Sequence, residues 1–237
     1  MDNIKIYGYS ERGAMNALFY GIAYREGDGF NGEEAIKELL SLAHIEESFD
    51  NFSFYIEGSL SGFGDPDLVI IADNKQGEKT CIFVEAKASG LGFYNLNVQK
   101  SNHEEYMNKG KDSKYEKGHS SNLFFQLRLK NLLVTSTKEE VKKGTILGSE
   151  QRQSPRRLGN NLIVNKFYNE IASCNEIKYL AIVPELPKKD FDTKNEYGFD
   201  IQFVSWEDIK NNSILGKYIK DTIDYNEVDG KSEILNN

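Results

Sequence analysis

The apolar positions along the chain fall into three rhythms. Residues 68–72 (LVIIA) and 81–84 (CIFV) are short unbroken apolar runs on either side of a polar turn, 73–79, that contains Gly77. Such a pair reads as a β-hairpin in the core. Residues 51–56 alternate instead, with Phe52, Phe54 and Ile56 on one face and Ser53 and Tyr55 on the other, the pattern of a half-buried strand. Elsewhere the spacing is helical. Ala14, Met15, Leu18, Phe19 and Ile22 predict a helix over 10–25 entered through Ser10, and Ala35, Ile36, Leu39, Leu40 and Ala43 predict one over 32–46, with Asn31 and Glu34 at capping-box spacing. The run 123–134 (LFFQLRLKNLLV) predicts a third helix or buried element with Gln126 and Lys130 on one face. Leu162, Ile163, Phe167 and Ile171 predict a helix over 160–173. Residues 179–183 (YLAIV) read as a buried strand stopped by Pro184, residues 199–204 alternate as the last strand, and Ser205 caps a closing helix with Glu207 and Asp208 in its first turn.

The order helix, helix, strand, hairpin, helix, helix, strand, strand, helix belongs to an α/β fold with a mixed central β-sheet flanked by helices. Residues 3–8 read as a short edge strand, and residues 59–64 (SLSGFG) as a plain turn. The chain from Asp224 onward is polar and expected to fray. With 237 residues, the expected organisation is one domain over 1–223, with basic insertions around 88–120 and 136–159 and a polar tail over 224–237.

Charge sharpens this picture. The formal net charge is −8, but residues 97–166 hold 14 basic and 7 acidic side chains, a balance of +7 inside an acidic protein. A basic segment of that kind can track a phosphate backbone whatever the total charge. Tyr94, Tyr106, Tyr115, His103 and His119 lie among lysines in 88–119, which suits stacking and charge contact with nucleic acid; the alternative is a surface insertion with no such role. The two histidines lack metal-ligand spacing. Mean hydropathy is −0.56, and no apolar run reaches the length of a membrane helix, so no membrane partner is expected. The first residues have no signal-peptide core, and Cys81 and Cys174 are too few for a disulfide framework; Cys81 inside a core strand reads as a buried free thiol, which fits a reducing cytoplasm.

The chemistry gathers at the open end of the hairpin. Centred on Gln76, the hairpin would set Asp67 across from Glu85, with Cβ atoms about 5 Å apart. Lys87, two residues beyond Glu85, would share its face. Two carboxylates held so close repel unless a cation sits between them. Pro66-Asp67 followed after seventeen residues by Glu85-Ala86-Lys87 resembles the PD-(D/E)xK nuclease superfamily, the restriction-endonuclease-like fold. The resemblance covers 8–215, with 64–89 as its specific part. It implies Asp67, Glu85 and Lys87 as catalytic residues, with Gln126 supporting them. It implies Mg²⁺, replaceable by Mn²⁺, held by Asp67, Glu85, the Ala86 carbonyl and Glu11. Glu57 is a further candidate at the end of its strand. The implied activity is hydrolysis of phosphodiester bonds in DNA, with restriction or mobile-element defence as the expected role, repair as the runner-up, and a homodimer as a common arrangement. The alternative is a catalytically silent nuclease-like module that binds nucleic acid or acts as a scaffold. A small-molecule enzyme with an acidic metal site finds less support, since the sequence has no phosphate-binding glycine loop, no GxSxG and no CxxC pair.

Overall fold

Burial on both faces is what makes the hairpin strands uniformly apolar. The computed structural model describes residues 7–8, 10–27, 29–45, 47–89, 94–109, 121–144, 156–188, 191 and 193–235. Helices α1 (Ser10–Tyr24) and α2 (Gly32–Leu42) lead into strands β1 (Asn51–Ile56), β2 (Leu68–Asp73) and β3 (Lys79–Ala86). Helices α3 (Leu96–Lys109), α4 (Leu123–Thr135), α5 (Lys138–Lys143) and α6 (Leu162–Ala172) form the crossover to β4 (Glu176–Val183). Then follow α7 (Thr193–Tyr197), β5 (Ile201–Ser205), α8 (Trp206–Asn211), α9 (Gly216–Tyr225) and a small ribbon of β6 (Glu227–Val228) and β7 (Lys231–Ser232).

The main sheet has the order β1-β2-β3-β4-β5. β1, β2 and β3 pair antiparallel; β3, β4 and β5 pair parallel. The fold is therefore α/β with a mixed sheet covered on both faces. Strand alternation sorts the core into two layers. Leu68, Ile70, Ala72, Ile82, Val84 and Ala86 face α1, α2, α8 and α9, whereas Val69, Ile71, Cys81 and Phe83 face α4 and α6. Phe52, Phe54 and Ile56 of β1 pack on the first layer and Tyr55 on the second, as the alternation requires.

Local chemistry explains most element boundaries. Asn31 caps α2 by accepting the Glu34 N–H at 3.2 Å, and Ser205 forms a capping box with Asp208 at the start of α8. The hairpin turn closes on Asn74, whose Oδ1 accepts the N–H groups of Gln76 and Glu78, while Gly77 takes φ 77. Ser10 is the first residue of α1, at φ 62.

Several expectations are corrected. Residues 3–6 of the expected edge strand lie outside the described residues, and Tyr7 and Gly8 form no strand. The stretch 88–119 contains α3, which its weak periodicity concealed, with Tyr94 and His103 buried; Tyr115 and His119 lie outside the described residues. Leu162 and Ile163, expected in the core of α6, are 85% and 73% exposed, because the buried side of that helix is built by Val164, Phe167, Tyr168 and Ile171. The closing helix is two helices, and the tail does not fray among its described residues: Ile234 and Leu235 are buried in the first core layer. Among the described residues, no helix is long and apolar enough to cross a membrane.

Candidate active site

The hairpin register runs from Asp73 opposite Lys79 to Leu68 opposite Val84, and one further step sets Asp67 across from Glu85. Asp67 is fixed by the chain it faces: its Oδ2 accepts the Ala86 N–H at 2.8 Å, a donor beyond the last paired residues of the β2–β3 ladder. Its own carbonyl accepts the Glu57 N–H at 3.2 Å, which joins β1 to the same corner.

Glu85 follows the alternation of Cys81 and Phe83 and so faces the α4 layer. It is fully buried, and Lys130 Nζ, also fully buried, lies 3.2 Å from its Oε1. The contact is a charge contact rather than an aligned hydrogen bond. Neither Glu85 oxygen and not Lys130 Nζ has a hydrogen-bond partner of sound geometry among the described residues. Burial pushes the Glu85 carboxyl up to about 7; Lys130 pulls against that, and the nearby Asp67 adds to it.

Lys87 does not share this contact. The strand ends at Ala86, and the Lys87 ammonium reaches Glu11 Oε1 on α1 at 3.2 Å. The expectation that Glu85 and Lys87 project together is corrected here: their charged ends go to helices on opposite sides of the sheet, although Lys87 stays close enough to act on the Glu85 charge. The backbone of Lys87 is pinned on both sides. Its N–H donates to Ile182 O at 2.8 Å, and its carbonyl accepts the Trp206 Nε1–H at 2.7 Å. Glu11 is raised above the ordinary range by burial first, with Lys87 lowering it and Asp67 raising it. Tyr94 lies near it, its phenol pushed up by burial and by the Glu11 charge.

Glu57 is turned away, paired with Arg12 at 3.0 Å in an exposed contact. Gln126 lies beside the site rather than in it, lining a cavity with Lys130. Lys130 and Trp206 are the residues that sequence reasoning left out of the site. The signal for Lys130 was its place one turn after Gln126 in an otherwise apolar helix; Trp206 gave none.

Among the described residues, no three His, Cys, Asp or Glu side chains gather as a preformed metal cage would. The site is instead a row of charges, Glu11, Lys87, Asp67, Glu85 and Lys130, with an ion pair at each end and the carboxylates of Asp67 and Glu85 as like-charged neighbours in the middle. Within it, a buried carboxylate whose two oxygens have no hydrogen bond among the described residues, beside a second carboxylate, is a donor set that fits a hard divalent cation. Compared with protein-family models, curated proteins and solved structures, the chain matches none of them.

Proposed function

We propose that the chain is a metal-dependent nuclease of restriction-endonuclease-like build that hydrolyses phosphodiester bonds in DNA. The observation that carries this reading is the hairpin end where Asp67 stands across from Glu85 and the backbone of Lys87 follows, with the buried Glu85 oxygens lacking hydrogen-bond partners among the described residues. Asp67, Glu85 and the Ala86 carbonyl would hold Mg²⁺ or Mn²⁺, with Glu11 at the rim. The metal would supply a bound water of lowered pKa and neutralise charge on the scissile phosphate.

The protein's own groups do the rest. Asp67 is held in one orientation by the Ala86 N–H, so it need not be ordered at each turnover. The Lys87 ammonium presents N–H donors to the phosphate oxygens, where charge grows as water adds to phosphorus. Glu11 holds that ammonium in place, and Trp206 and Ile182 fix the backbone that carries it. Attack by water forms one P–O bond and breaks the bond to the leaving oxygen; the attacking water gives its proton to solvent, and the leaving oxygen takes one from solvent.

One observation favours the second reading, a module that binds without cutting: the Lys130 ammonium already stands 3.2 Å from Glu85, where it supplies positive charge. Incubation of the purified protein with supercoiled and linear DNA in Mg²⁺, Mn²⁺ or EDTA, beside Lys87→Ala, separates the two. The nuclease reading expects metal-dependent cutting that falls at least about a hundredfold in the variant. Cutting by Lys87→Ala at the wild-type rate would falsify the role given to Lys87. A folded wild-type protein that binds DNA and never cuts establishes the second reading.

A further inference from the structure

We propose that the cavity between the 61–65 loop and α4 binds a phosphate group of nucleic acid, beside the acidic corner. The cavity is about 300 Å³, and its walls include Lys130, Gln126, Arg156, Tyr106, Gly62 and Gly64. That volume stands at the lower end of ligand pockets. The polar groups on its walls are incompletely used. Arg156 Nη1 donates to Gly62 O at 3.2 Å, which fixes the guanidinium, while its buried Nε has no hydrogen-bond partner among the described residues. The Gln126 Oε1 is likewise buried and unpartnered, and a half-turn of that amide presents its NH₂ to the cavity instead. Lys130, fully buried, spans the wall between this cavity and Glu85.

The glycines keep the wall bare. A Cβ at Gly64, which has φ 74, would stand 3.1 Å from Lys130 Nζ; one at Gly62 would stand 2.8 Å from the Arg157 carbonyl oxygen. With neither present, the loop lies close against Arg156, Arg157 and the buried Lys130 ammonium. A guanidinium fork next to an ammonium is the donor set that phosphate favours. Among the described residues, Asp65 is the one carboxylate on the wall; its Oδ1 is taken by the Leu60 N–H at 3.1 Å, and its exposure lets solvent screen it. Glu85, 3.2 Å behind the wall, already matches the Lys130 ammonium, so the cation left to the cavity is the Arg156 guanidinium, opposed by the one screened Asp65.

The carrier of the phosphate, a nucleic-acid strand, rests on the nuclease reading; the binding of phosphate does not. Two sources share this chemistry, a terminal phosphate and an internal phosphodiester. The test uses the full chain carrying Lys87→Ala, so that nothing is cut, and fluorescence anisotropy with oligonucleotides ending in 5′-phosphate, 3′-phosphate or hydroxyl. A terminal-phosphate site gives about tenfold tighter binding to one phosphorylated end; an internal site gives equal binding to all three. In either case Arg156→Gln weakens binding about tenfold and lowers the salt slope by about one, with Arg156→Lys in between. Inorganic phosphate raises the melting temperature of the wild-type chain and not that of Arg156→Gln. Unchanged oligonucleotide affinity and unchanged phosphate stabilisation in Arg156→Gln overturn the proposal, even if the wild type cuts DNA. Phosphate binding that depends on Arg156 in a protein that never cuts upholds it and removes only the nuclease reading.

Discussion

Glu85 and Lys130 define the cost of the site at the scale of single residues. Two fully buried charges 3.2 Å apart, without an aligned hydrogen bond, offset little more than each other's desolvation. Removing one partner strands the other, so Lys130→Met is expected to lower the unfolding free energy by about 3 kcal/mol in urea titrations. The double variant Glu85→Leu, Lys130→Met should recover most of that loss; a double variant as unstable as the sum of its parts would show that the pair is not coupled. The pH dependence has a definite sign. The Glu85 carboxyl is raised from an ordinary 4.5 to about 7. Below the lower value folded and unfolded chains both carry the proton; between the two values only the folded chain keeps it. Stability from this group is thus full in acid and is lost as pH rises toward about 7. Glu11, raised in the same direction, adds to the slope. In chelator, the urea midpoint of the wild type should fall between pH 5 and pH 8, and Glu85→Gln should flatten that fall while lowering the midpoint at both ends.

At the scale of elements, α4 positions both Gln126 and Lys130, and Asn122 positions α4. The Asn122 Oδ1 accepts the N–H groups of Phe124 and Phe125 at 3.1 and 3.2 Å, and its Nδ2 donates to the Gln99 carbonyl of α3 at 2.7 Å. Asn122→Ala is expected to cost about 2 kcal/mol, the upper end for a cap because the residue is buried and a second bond is lost. Thermal unfolding measures it, and a change within about 0.5 kcal/mol would remove the cap from the account. What the sequence made legible follows the same division. The hairpin register was readable because two apolar runs with a polar, glycine-containing turn admit few pairings. Helix α2 was readable from its Asn31 cap and regular stripe. Helix α3 was not, because its polar faces leave little period to detect. The exposure of Leu162 and Ile163 was not legible either, since periodicity cannot tell which apolar residues of a helix turn meets the sheet. The opposite directions taken by Lys87 and Glu85 depend on where β3 ends and on which helices stand on each side, facts that spacing along one strand does not carry.

For the whole molecule, the described helices between β3 and β4 and the last described residues bear on the site from opposite faces of the sheet. Residues 97–166, with their balance of +7, fall in sequence between β3 and β4, and α4 and α6 from that stretch form the layer against which Glu85 and the Arg156 cavity lie. The other layer carries Glu11, and the end of the chain braces it. Asn226 Nδ2 donates to the Gly8 and Thr222 carbonyls at 2.6 and 2.7 Å, the Tyr7 and Tyr225 rings stand 5.1 Å apart, and Ile234 and Leu235 fill the core beyond α9. These contacts tie the approach to α1, and with it Glu11 and its hold on Lys87, to a stretch whose composition reads as a loose tail. Deleting 226–237 removes two buried aliphatic side chains and the Asn226 bonds, so it is expected to cost at least about 3 kcal/mol, measured as a lower urea midpoint. The cleavage assay, run where the shortened chain is still folded, should also show a larger loss than stability alone explains, because Lys87 loses the brace behind Glu11. A shortened chain with the wild-type midpoint would show that the tail contributes nothing to the core. A normal cutting rate at a lowered midpoint would show that the brace ends at α9 and does not reach the lysine.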